Sequence, residues 1–254
     1  MKSIYAVILF PFFLHSCQSR NKKEDALFSM ENITRANLQT ITVEVEDFNF
    51  EDLGNFLEVT SYIQLAAEPL LASIQEIQIK NEKIYIHDKF ARIICYDMQG
   101  KMIFKIDAKG AGPGEYTDVN TFVINEQSRE LIIYDNHKQS LLFYNADNGI
   151  FFKTQKLVKP DPTAMASLGG VYYYDNRYHS NYPNDTDLYY SLLVSKNAMI
   201  MDRHYFPHND AESSYRFRPT RQPFSYNDSV LYYCRNFDNV IYELNPDSLK
   251  RLLR

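Results

Sequence analysis

Few reactive side chains in this sequence stand at spacings that do chemistry. Asn184-Asp-Thr-Asp187 and Asn209-Asp-Ala-Glu212 each gather two or three oxygen donors, the ligands a calcium ion takes. Neither adds the fixed-offset glycine or the distal bidentate Glu of a calcium loop, so both read as solvated loop acids. His204 and His208 lie four apart, but Pro207 between them rules out a shared helical face. Gly110-Ala-Gly-Pro-Gly114 is glycine-rich, yet a proline and a following strand stand where a phosphate loop needs a helix N-terminus. The sequence has no Gly-x-Ser-x-Gly elbow, no His-Glu-x-x-His and no Cys-x-x-Cys. No catalytic residue, metal ligand or cofactor is expected.

The elements that must position any working side chain are written as a repeat. Glu82-Lys-Ile-Tyr-Ile-His-Asp88 leads to Ile93-Ile-Cys-Tyr-Asp97 and Ile103-Phe-Lys-Ile106. Glu130-Leu-Ile-Ile-Tyr-Asp135 leads in the same way to Leu141-Leu-Phe-Tyr144 and Ile150-Phe-Phe-Lys153. Asp88 and Asp135 mark a period of 47 residues (135 − 88). Short β-branched and aromatic runs, punctuated by turn formers, predict antiparallel strands in hairpins. A period of this length built from such runs marks a solenoid or a propeller. Looser copies follow at Gly169–Val194 and Asp228–Leu244. With first strands at Ser73–Ile79, Asn120–Ile124, Met165–Leu168 and Pro223–Tyr226, the chain is read as all-β, with four-stranded antiparallel blades. Three look complete, their last strands including Ala198–Met201, and the fourth lacks most of its last strand.

Lys83-Ile-Tyr-Ile-His-Asp88, Arg92-Ile-Ile-Cys-Tyr-Asp97, Gly100-Lys and Gly110-Ala-Gly-Pro-Gly-Glu-Tyr116 together resemble an NHL-type propeller repeat. Over roughly residues 40–245 the chain resembles the six-bladed β-propeller lipoproteins of Bacteroides and its relatives. That resemblance implies six blades, of which 254 residues hold about four. It also implies a closing strand near the N-terminus, placed at Ile41–Val45. Residues 41–254 are therefore expected to form a propeller incomplete at its C-terminus, the alternative being a self-contained four-bladed ring.

In a propeller, the loops joining strand 2 to strand 3 and blade to blade open on one face, where ligands commonly bind. Asp88, Asp135 and Asp175 recur at one position of that face and read as turn caps that bond their own backbone. Lys109 and Tyr116 of the connection between blades are candidates for contact, as are the side chains that the repeat does not demand: Arg92, His137, Arg177 and Tyr178. The last two open a long insertion, Asn176–Asp187, whose Tyr, Asn, Asp and Arg suit either a sugar or peptide contact or a solvated loop.

The first 17 residues are a processing segment. Lys2 gives a positive start, and the apolar run Ile4–Leu14 is too short to span a bilayer as a helix. Leu14-His-Ser-Cys17 resembles a lipobox, which implies lipidation of Cys17 and firm membrane anchoring. Residues 18–40 read as a polar tether. Without residues 1–16 the balance is 26 basic against 32 acidic side chains, one Lys having left, a net charge of −6 that argues against nucleic acid as partner. Cys95 and Cys234 fall in or beside strands of different blades and read as buried free thiols.

The function these features favour is a non-catalytic, membrane-anchored propeller. It would bind a ligand or partner protein, glycan or peptide, at the outer membrane or cell surface. Two alternatives stay open. One is a lyase- or lactonase-type propeller enzyme with a metal in its channel, for which the first strands offer only Glu76. The other is a truncated copy without independent function.

Overall fold

The structure is a computed structural model. It describes residues 33–39, 61–157, 159–176, 189–208, 222–227, 229–235, 238 and 240–253. Four antiparallel four-stranded sheets form a four-bladed β-propeller. Blade 1 contains β2 (Ile74–Lys80), β3 (Lys83–Asp88), β4 (Ile93–Asp97) and β5 (Met102–Ile106). Blade 2 contains β6 (Thr121–Asn125), β7 (Glu130–Asp135), β8 (Ser140–Asn145) and β9 (Phe151–Lys156). Blade 3 contains β10 (Pro162–Leu168), β11 (Val171–Asn176), β12 (Tyr190–Ser195) and β13 (Arg203–Pro207). Blade 4 contains β14 (Phe224–Asn227), β15 (Val230–Cys234), β16 (Ile241–Asn245) and β17 (Ser248–Leu253). A further strand, β1 (Ile33–Gln39), pairs parallel with β17 at the outer edge of blade 4.

Three details depart from the sequence reading. Ser248–Leu253, read as an interrupted repeat, is the complete fourth strand of blade 4. The added strand at Ile33–Gln39 lies within the stretch read as tether, and Ile41–Val45 lies outside the described residues. The last strand of blade 3 is β13, not the apolar run Ala198–Met201. Asn197 Oδ1 accepts the amides of Met199 and Ile200 at 3.0 and 2.8 Å, bending that run into a turn.

Blades pack face to face through aromatic and β-branched side chains, as alternation along a strand requires. Tyr85, Cys95 and Phe104 of blade 1 meet Phe122, Leu131 and Leu142 of blade 2. Val123, Tyr134 and Phe143 meet Tyr172, Tyr174 and Leu193 between blades 2 and 3. Between blades 3 and 4, Phe206 lies 4.6 Å from Tyr242, ring centre to ring centre. The outward face of blade 1 (Ile84, Ile86, Ile94, Tyr96) is covered instead by Ile63, Leu65 and Leu71 of the segment before β2. Cys95 is buried, which pushes its thiol up to about 12; Cys234 is exposed, against the expectation of burial, and both are free.

The segment before β2 docks on the β4–β5 turn, where Ala66 N donates to Gly100 O at 2.8 Å. Gly100 has φ +78°, and a Cβ there would stand 2.0 Å from Gln64 O. Gly100→Ala therefore strains the turn and pushes the covering segment off Tyr96 and Ile94. The expected loss is about 2 kcal/mol or more, read as a thermal midpoint lower by roughly 4–8 °C. An unchanged midpoint would show that this cover contributes nothing to stability.

Candidate functional site

On the loop face, the recurring aspartates do more than cap their turns. Asp88 Oδ1 accepts the amides of Phe90 (3.1 Å) and Arg92 (3.3 Å), while Oδ2 accepts Ala72 N from the segment leading into β2. Asp135 repeats this, taking His137 N, Lys138 N and, at 2.6 Å, Thr117 N from the connection into β6. Each Asp thus clasps the entry to its own blade. Asp175, buried like the other two, differs in its partners: it accepts the hydroxyls of Thr163 and, from the next blade, Tyr233 (2.8 Å). Burial raises its pKa, against the lowering effect of those two hydroxyls.

The six candidate contact residues separate accordingly. Arg92 forms an ion pair with Asp88 and donates to Leu70 O at 2.9 Å. Tyr116 is fully buried and donates its hydroxyl to Ala91 O at 2.7 Å, so burial pushes it up to about 12. Both serve the framework in this structure. Lys109 and His137 are exposed on the loop face. Arg177, Tyr178 and Cys17 lie outside the described residues, as do Asn184–Asp187 and Asn209–Glu212. Among the described residues no three His, Cys, Asp or Glu side chains converge as a metal site would need. The glycine-rich connection has a structural cause: Gly114 has φ +75°, and the Glu115 carboxylate folds back onto Gly112 N at 2.7 Å.

A polar cavity lies elsewhere, along the first strands of blades 1 and 4. Of about 540 Å³, it opens between β2 and β14, with Glu126 and Met165 at its sides. The first strands of successive blades are stitched together by side chains: Gln78 Nε2 donates to Phe122 O (2.7 Å) between blades 1 and 2, Ser167 Oγ to Ile124 O (2.9 Å) between blades 2 and 3, and the Tyr226 hydroxyl of blade 4 accepts from Ser167 N and donates to Ser167 O. β2 and β14 face each other across the cavity. Lys80 Nζ lies 3.4 Å from the Tyr226 ring centre, and Gln222 hydrogen-bonds Glu76. The cavity lies at this seam.

Its electrostatics follow from burial. Glu76 accepts Gln78 Nε2 at 2.8 Å and is also held by Gln222 and the Phe122 amide. Desolvation outweighs those donors and raises its pKa to about 7. Lys80 is buried, with Nζ 3.6 Å from Glu126 Oε2, and desolvation lowers its pKa against the pull of that carboxylate. Ile77 and Ile79, by contrast, are 48% and 58% exposed on the cavity wall. The alternation Ile-Gln-Glu-Ile-Gln-Ile-Lys80 marked β2 as a strand. Nothing in the sequence said that its isoleucines face a cavity and not a neighbouring blade.

The family model for a domain of unknown function, DUF4934, matches residues 38–253, nearly the whole propeller. The chain belongs to the DUF4934 family. No curated protein sequence matches it. Among solved structures, this DUF4934 chain is similar to a Bacteroides fragilis protein described as exported. The TM-score is 0.61 and the identity 17%, over 75% of this chain and 53% of that one. It is also similar, at TM-score 0.43 and 11% identity, to BamB from Moraxella catarrhalis, over 69% of this chain and 46% of that one. The DUF4934 chain thus spans about half the length of the structures it matches. At 17% identity the likeness to the Bacteroides fragilis structure concerns the fold alone.

Proposed function

We propose that the protein is a non-catalytic binding propeller of the bacterial cell envelope, anchored through lipid on Cys17 and holding a glycan or peptide ligand or a partner protein. The observation that carries this reading is the cavity at the seam. At about 540 Å³ it has the size of a small-molecule or side-chain site, its wall combining the aliphatic Ile77 and Ile79 with the polar groups of Gln78, Asn81, Gln222 and Ser225. The leader ending in Leu14-His-Ser-Cys17 supplies the anchor, and the exported fold relative from Bacteroides fragilis is consistent with it.

A thermal-unfolding screen of the purified protein against glycans, peptides and divalent cations tests it. A ligand present at a hundred times its Kd adds about 2.7 kcal/mol to stability. That corresponds to a midpoint raised by roughly 5–11 °C. A shift confined to the glycan or the peptide class supports the proposal. A shift with cations alone, or with nothing, removes it.

A further inference from the structure

The chemistry of the cavity walls discriminates between ligand classes. Lys80 and Glu126 face each other at 3.6 Å, so the charged groups on the wall neutralise one another. A cationic occupant would compete with Lys80 for the Tyr226 ring and for Glu126, and an anionic one would meet the Glu126 carboxylate. The complementary occupant is therefore uncharged.

Sugar recognition by stacking needs an open aromatic face. Here the Tyr226 ring is covered by Lys80 and Phe224 is buried, so neither aromatic side chain of the wall offers one. The exposed apolar surface is aliphatic, and it comes from alternate residues of one strand: Ile77 and Ile79 share a face of β2 and point into the cavity. β2 is the innermost strand of its blade and, among the described residues, is paired on one side only, with β3. An innermost strand with alternate aliphatic side chains suits an added strand, whose backbone hydrogen-bonds the free edge while its side chains pack on the alternate residues. The exposed amides of Asn81 and Gln222 and the hydroxyl of Ser225, all on the wall, supply further donors and acceptors for peptide groups.

We propose that the seam cavity binds an uncharged, extended stretch of polypeptide whose aliphatic side chains lie against Ile77 and Ile79. The inference rests on the binding-propeller reading and specifies its ligand. The probe is a capped tetrapeptide, acetyl-Thr-Val-Thr-Val-amide, titrated calorimetrically into the purified protein beside its acetyl-Thr-Asp-Thr-Asp-amide analogue and maltotetraose. Two substitutions accompany it: Ile79→Asp on the wall and Ile200→Asp on an exposed turn outside the cavity. Both positions are exposed, and a thermal melt of each variant verifies folding.

The expected result is binding of the valine peptide, weakened at least tenfold by Ile79→Asp and unchanged by Ile200→Asp, with the aspartate peptide and the saccharide at least tenfold weaker. Binding of maltotetraose in preference to the peptide would overturn the peptide assignment and leave the binding-propeller reading standing. So would peptide binding indifferent to Ile79→Asp. Failure of these probes, together with an unshifted ligand screen, would overturn both.

Discussion

Asp88→Ala is expected to cost about 3–5 kcal/mol of unfolding free energy. Asp88 is fully buried and collects three backbone amides and the Arg92 guanidinium. Burial alone would raise its pKa, but Arg92 and the Ala72 amide outweigh that and hold it below the usual carboxylate value. Alanine removes every one of these acceptors at once. It leaves Arg92, whose side chain is only 13% exposed, as an uncompensated charge, and it frees the segment that covers blade 1. Breaking a buried pair by deleting one partner is costly because the surviving charge stays desolvated. Asp88→Asn keeps one acceptor oxygen and should lose less. Urea unfolding at pH 7 reads both differences, and a loss under about 1 kcal/mol for Asp88→Ala would refute the clasp.

The same residue shows what the sequence could and could not convey. Recurrence of Asp88 and Asp135 at one repeat position pointed to turn caps, and each does accept the amides of its own turn. The longer-range bonds to Ala72 N and Thr117 N were not legible, because a sequence does not show which distant amide a carboxylate will meet. Blade number and first strands were legible, since alternation and turn formers act locally. The last strand of blade 3 was misplaced because Asn197 overrides an apolar run by capping it into a turn. Arg92 and Tyr116 stood out as candidates for ligand contact, yet their chemistry is spent inside the framework. The cavity was invisible for the opposite reason. Ile77, Gln78, Ile79 and Lys80 look like an ordinary strand, and only the ring arrangement turns one face of it towards Tyr226 and Glu126.

Glu76→Gln is expected to stabilise the protein at pH 8 and to remove a pH dependence that the unsubstituted protein shows. Burial raises the Glu76 carboxyl from 4.5 to about 7 despite its three donors. Between those values the folded state holds a proton that the unfolded state has released. Stability therefore falls as pH rises from about 4.5 to about 7, and levels off above that. A shift of this size corresponds to roughly 3 kcal/mol as an upper bound. Glutamine keeps the shape without the charge, and its amide brings a donor to a site where the buried Gln78 Oε1 has none. At pH 4.5 Glu76 is protonated in the folded protein, so the two proteins should unfold at nearly the same urea concentration. At pH 8 the variant should be more stable by about 1–3 kcal/mol. Parallel profiles from pH 4.5 to 8 would mean that water or the Gln78, Gln222 and Phe122 donors solvate the carboxylate fully, and the seam would then be no harder to charge than the surface.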